Sequence, residues 1–193
     1  MAVNQTAQKI LTVAQKNLQT KGFNGFSYRD LAQEIGIKTS SIHYHFPTKD
    51  DLALALVNAY REAFNTELAR ILASSVDERS QLKAYIQLFE NNLAVDNQFC
   101  LCGMLASEIN SLSDDVKQAI QGFFQDNELW LSELITRGQT EKEFKKTGSP
   151  SLVAAQLFAT LEGAMLIARS AENNNSKRFQ QIVSVMVQSL INE

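Results

Sequence analysis

Between Ser27 and Pro47 the chain is punctuated three times, which leaves room only for two short helices joined by a tight turn. Ser27-Tyr28-Arg29-Asp30 has the form of a capping box: the serine hydroxyl can satisfy an early backbone N–H while the acid reaches back to the serine. Gly36 tolerates the left-handed conformation that ends a helix. Pro47 disfavours helix in the residue before it. The spacing predicts one helix over 28–35, with Leu31, Ala32 and Ile35 inward, and a second over 40–46, with Ile42 and Phe46 on one face and Ile37 plugging the turn. A longer helix precedes them, since Ile10, Leu11, Val13, Ala14 and Leu18 recur at helical period until Lys21-Gly22 stops it. The three together form a helix-turn-helix, in which the first short helix crosses a DNA backbone and the second enters the major groove.

The outward face of that second helix reads Thr39, Ser40, Ser41, His43, Tyr44, His45. Hydroxyls and imidazoles without an acid among them can bond phosphates and base edges, and Ser40 and Ser41 are short enough to let the helix approach closely. A solvated polar helix on an ordinary bundle would carry similar residues, so the charge balance matters. The net charge of -3 is divided unevenly: residues 1–61 hold seven Lys/Arg against four acids, and the remainder eleven against seventeen. A basic head on an acidic body suits a head that meets phosphates.

The run Gly36-Ile37-Lys38-Thr39-Ser40-Ser41-Ile42-His43-Tyr44-His45-Phe46-Pro47-Thr48-Lys49-Asp50-Asp51-Leu52, with Gly22-Phe23 and Gly25-Phe26-Ser27-Tyr28-Arg29-Asp30-Leu31-Ala32 before it, resembles the signature of TetR/AcrR-family regulators. The resemblance covers roughly residues 8–55. It implies a DNA-binding transcriptional regulator, most often a repressor, that binds a palindromic operator and is released by a small effector. It also implies that Ser27, Tyr28, Arg29, Tyr44, His45 and Lys49 face phosphates, and that Lys38, Thr39, Ser41 and His43 lie near base edges. Two positions depart from the family pattern: Ser40 stands where glycine is frequent, and His43 where tyrosine is usual.

The expected fold is all-α: a helix-turn-helix domain over residues 1–48, then a helical bundle over 49–193 for effector binding and dimerisation, about nine helices in all. Thr48-Lys49-Asp50-Asp51 caps a long fourth helix that links head to body. Asp77 caps a fifth helix to Val95, and a short sixth covers 101–109. Ser113-Asp114-Asp115 caps a seventh that runs to Arg137 and Gly138. A charged loop over 141–149 leads into Ser149-Pro150 and an eighth helix to about Ala171, and a polar turn at Asn173–Asn175 precedes a last helix over 177–191.

In this body Phe64, Phe89, Cys100, Cys102, Met104, Phe123, Trp130, Phe158 and Met165 supply large or polarisable apolar surface, and Glu162 falls within an apolar stretch. Core packing and an effector cavity between helices are both open for them. Glu90, Glu108 and Glu162 face either that cavity or solvent. Ala155, Ala159 and Gly163 form a small-residue stripe at i, i+4, i+8, and Phe179, Val183 and Met186 an apolar face on the last helix; both suit a dimer interface or internal packing. Cys100 and Cys102, one residue apart, are too close for an easy disulfide and supply half of a four-ligand zinc site. They are either buried residues or a thiol sensor of oxidants and electrophiles.

The expected partners are operator DNA, a second copy of the chain in a homodimer and a small effector. No cofactor, metal or membrane partner is expected: the uninterrupted apolar runs Leu52–Val57 and Ala164–Ala168 are too short to span a bilayer. The polar start of the chain lacks a signal-peptide pattern, which places it in the cytoplasm. An enzyme is the rival class, but both histidines sit on the reading helix and no nucleophile–base set or phosphate loop is present. A helical carrier without DNA binding would leave the basic head without a purpose.

Overall fold

A computed structural model describes residues 5–74, 77–170 and 175–192. Among them the chain forms nine α-helices and two short 3-10 turns: α1 (Gln5–Lys21), α2 (Tyr28–Ile35), α3 (Thr39–His45), α4 (Lys49–Ala73), α5 (Glu78–Ala94), α6 (Leu101–Ser107), α7 (Asp114–Thr140), α8 (Pro150–Arg169) and α9 (Asn175–Leu190). This is the all-helical fold expected from the sequence. The first four residues and most of the expected turn at Asn173–Asn175 lie outside the described residues.

Contacts divide the chain into two compact units, Met1–Glu62 with Leu101–Phe123, and Ala63–Cys100 with Phe124–Glu193. The division falls elsewhere than the boundary expected after residue 48. α4 and α7 each contribute residues to both units, and α6 packs against α1 in the first.

In the first unit Ile10, Ala14, Leu18, Leu31, Ile42 and Leu52 are wholly buried. Each large aliphatic side chain among them contributes roughly 1.5–3 kcal/mol by leaving water. The caps read from the sequence are present. Ser27 accepts from the Asp30 N–H, and the Asp30 carboxylate accepts from the Ser27 N–H at 2.8 Å. Gly36 ends α2 at φ 77°, and its N–H and that of Ile37 both donate to the Ala32 carbonyl at 3.0 Å. Thr48 and Asp51 make a second such box at the start of α4. Glu108 closes the turn after α1, accepting from the N–H groups of Phe23 at 2.8 Å and Asn24 at 3.2 Å. That engagement fits neither expectation for Glu108, a cavity or solvent.

In the second unit α5, α8 and α9 pack together around Tyr85, Phe89, Leu157, Leu161 and Phe179. α7 runs past Gly138 to Thr140, two residues beyond the expected stop. A Cβ at Gly138 would lie 2.3 Å from the Phe144 ring, so glycine there serves close approach and does not end the helix. The expected loop over 141–149 is tied down by an isolated antiparallel bridge between Phe144 and Ile191, with Lys145 N–H donating to the Leu190 carbonyl at 2.7 Å.

Candidate nucleic-acid interface

α3 has no side-chain cap and is only two turns long, so packing must hold it. Ile42 supplies that hold, wholly buried, and Phe46 follows at the helix end. The opposite face is open: Lys38, Ser40, His43 and Tyr44 are exposed, Tyr44 at 82%, and Thr39, Ser41 and His45 are half-buried. Arg29 on α2 is exposed as well. His43 Nδ1 lies 3.1 Å from the Pro47 carbonyl, which favours the tautomer with a proton on Nδ1 and leaves Nε2 as an acceptor.

Three residues expected to face phosphates are engaged otherwise. The Ser27 hydroxyl is taken up in its cap with Asp30. Tyr28 is buried, and its hydroxyl donates to the Phe46 carbonyl at 2.9 Å and to that of Thr48, tying α2 to the junction of α3 and α4. Burial and the Asp51 charge push its phenol well above the ordinary tyrosine range. The Lys49 ammonium donates to the carbonyls of Phe26, at 2.6 Å, and Phe23, and lies 4.6 Å from the centre of each ring. Desolvation lowers its pKa, opposed by the charges of Glu108 and Asp30. A lysine in the first turn of a helix is within reach of the preceding loop, and carbonyls and aromatic faces there outbid solvent for its charge. The aromatic pair Phe23 and Phe26, at i and i+3, was the available sequence signal.

The residues expected to line one effector pocket divide between the two units. Cys102 and Met104, on α6, which folds onto α1, and Phe123, on α7, belong to the first unit; the others belong to the second. The aromatic residues among those others form a cluster of rings with Tyr85. The Phe64 ring meets Tyr85 at 6.1 Å and Phe89 at 5.9 Å, Phe89 meets Phe158 at 6.1 Å, and Tyr85 stacks on Trp130 at 5.2 Å. Met165 and Cys100 are buried in the same unit. Glu162 also lies there, its two carboxylate oxygens buried without a hydrogen-bond partner among the described residues. A separate groove of about 440 Å³ between α5 and α9 is lined by Arg79, Lys83, Ile86, Glu90, Gln180 and Val187 among others, of which only Glu90 was considered from the sequence. Glu90 there accepts from Gln180, so it faces this groove and not the aromatic cluster.

The dimer candidates also separate. Phe179 and Val183 are buried within their own unit, because α9 turns that face onto α8. Ala159 is exposed, Ala155 and Gly163 are half-exposed, and a Cβ at Gly163 would meet open space. Leu152, Leu166 and Ile167 on α8 and Val185 on α9 are exposed too, and small-residue spacing alone did not single them out. α8 is long and apolar enough by composition to cross a membrane, which the uninterrupted runs had not indicated. One side of it packs into the unit and the other carries these exposed leucines.

Residues 10–56 match the family model of bacterial regulatory proteins of the tetR family, and residues 78–183 match that of the tetracyclin repressor-like C-terminal domain. The fold is similar to the crystal structure of a transcriptional regulator of the TetR family from Agrobacterium tumefaciens, with 34% identity, 96% of this chain and 97% of that one covered, and a TM-score of 0.91. Along the sequence the chain is 24% identical to the HTH-type transcriptional regulator LmrA of Bacillus subtilis, over 90% of this chain and 92% of the relative. It is also 24% identical to the HTH-type transcriptional repressor DhaR of a Mycobacterium species, over 99% and 95%. With its helix-turn-helix and its C-terminal domain both matched, the chain belongs to the tetR family and is a DNA-binding transcriptional regulator.

Proposed function

We propose that the protein is a repressor that binds a palindromic operator as a dimer, through α3, and releases it when a small effector binds the second unit. The observation that carries the reading is the polar outer face of α3, with Lys38, Ser40, His43 and Tyr44 exposed over a wholly buried Ile42. Arg29 and Lys38 supply the phosphate contacts, and Ser40, Ser41 and His43 approach base edges. One such helix reads too few base pairs for useful specificity, so a second copy is required. The exposed apolar side of α8 supports an isologous interface between copies, with Ala159 and Gly163 allowing close approach.

The repressing sense rests on relatives such as DhaR, whose name carries it. α4 and α7 are continuous helices with residues in both units, so an effector that shifts them in the second would act on the first. Both thiols are buried, Cys100 at 1% and Cys102 at 0% exposure, and they belong to different units. This favours a non-covalent effector over a thiol trigger.

A mobility-shift titration with the DNA upstream of the protein's own gene tests the reading. Binding of one dimer to a symmetric site, with affinity falling steeply as salt rises, is the expected result. Equal affinity for that DNA and for unrelated DNA of the same length would overturn it.

A further inference from the structure

We propose that Glu162 anchors the cationic nitrogen of the effector, which is a small aromatic or apolar amine held between this carboxylate and the surrounding aromatic rings. The inference rests on the reading that the second unit takes an effector, and it names that effector's chemical class.

Two independent observations carry it. The first is the orphaned carboxylate. Both Glu162 oxygens are buried, and no described residue gives either of them a hydrogen bond that meets normal geometry. Folded chains rarely leave a buried acid in this condition, because an unpaired charge away from water is destabilising by several kcal/mol. The Cys100 thiol beside it is a weak donor, and its lowering effect on the acid is outweighed by desolvation. The Tyr85 hydroxyl, close enough for its ionisation to be opposed by the Glu162 charge, already donates to Asn127 Oδ1 at 2.8 Å. Among the described residues no donor pairs with this carboxylate, and the proposal assigns that donor to the ligand.

The second is the composition of the surroundings. Phe158 stands one turn before Glu162 on α8, and its ring meets Phe89 edge to face at 6.1 Å. Tyr85, stacked on Trp130, completes a wall of rings. Aromatic faces attract cations and are indifferent or repulsive to anions, so carboxylate and rings select the same ligand class. An anion would meet the like charge of Glu162, and a neutral apolar molecule would leave the carboxylate unpaired.

The test uses the full chain and three probes of similar size: 2-phenylethylamine, 2-phenylethanol and 3-phenylpropanoate. Binding is read by calorimetry and by the fluorescence of Trp130, the one tryptophan in the sequence. The amine is expected to bind about tenfold or more tightly than the alcohol, with the acid weakest. Glu162→Gln, which keeps the volume, should remove the preference, so that the amine binds this variant no more tightly than the alcohol does. Should Glu162→Gln fail to fold, Glu162→Met serves the same purpose. The proposal is overturned if the amine binds no more tightly than the alcohol, if the preference survives loss of the carboxylate, or if none of the three binds. DNA affinity measured alongside separates the two readings. An amine that binds at Glu162 and leaves DNA affinity unchanged refutes the effector role and keeps the site. A neutral or acidic compound that releases DNA, with no amine binding, does the reverse.

Discussion

The Tyr28 hydroxyl and the Phe46 carbonyl, eighteen positions apart in sequence, are joined by a buried hydrogen bond of 2.9 Å. The same hydroxyl reaches the Thr48 carbonyl, so one phenol spans the place where α3 ends and α4 begins. Tyr28 thereby ties α2 to the junction of α3 and α4 within the first unit. Tyr28→Phe leaves two carbonyls without this donor and should destabilise the fold by about 1–2 kcal/mol. Operator affinity should fall while its salt dependence stays the same, because no phosphate contact is lost. Denaturant unfolding and fluorescence anisotropy at several salt concentrations check both statements, and unchanged stability would refute the bracing role.

Lys38 and Lys49 should behave oppositely although both lie at the helix-turn-helix. Lys49→Ala removes an ammonium bonded to the carbonyls of Phe23 and Phe26 and should lower stability by about 1–2 kcal/mol. Lys38→Ala changes an exposed side chain, so stability should stay within about 0.5 kcal/mol. It should weaken binding to all DNA sequences and reduce the slope of log affinity against log salt by about one. Melting curves and salt titrations on the two variants provide the comparison, and a flattened slope in Lys49→Ala alone would reverse the assignment.

Ala159→Glu places a carboxylate on the exposed apolar side of α8, where the isolated chain accepts it without strain. In an interface between copies it would bury one unpaired charge per chain, which costs several kcal/mol. The variant should sediment as a folded monomer, and its operator affinity should drop by about a hundredfold or more. A folded variant that remains dimeric would exclude α8 from the interface.

Glu162 makes stability depend on pH in a defined direction. In the unfolded chain its carboxyl has the ordinary value of 4.5, and burial raises it to about 7 in the folded protein. Between these values the folded state holds a proton that the unfolded state has released, so stability falls as pH rises from about 4.5 through about 7 and is not regained above. The full effect is about 3 kcal/mol. Glu162→Gln should therefore match the parent in melting temperature near pH 4.5 and exceed it at pH 8. A difference between the two proteins that is the same at both pH values would show that this carboxyl does not titrate in the window.

Much of the first unit was legible in the sequence because its determinants are local. Ser27 and Asp30, Gly36, and Thr48 with Asp51 act within three or four positions of one another, so reading along the chain locates α2, α3 and the start of α4 almost to the residue. The period of Ile10, Ala14 and Leu18, and the placement of Ile42, mark the inward faces for the same reason.

Tertiary structure decided the rest, because it depends on which distant groups meet. Tyr28 and Lys49 have the types and positions of phosphate-binding residues, and only the proximity of Phe46, Thr48, Phe23 and Phe26 turns them inward. Gly138 reads as a helix stop until Phe144 is found against it. Cys100 and Cys102 are neighbours in sequence yet belong to different units, since the chain leaves one and enters the other between them. Helical period places Glu162 with Phe158 and Met165, but it cannot tell whether a carboxylate there reaches water or lies unpaired among rings. That outcome depends on how closely the second unit packs around it, a relation that no spacing along the chain encodes.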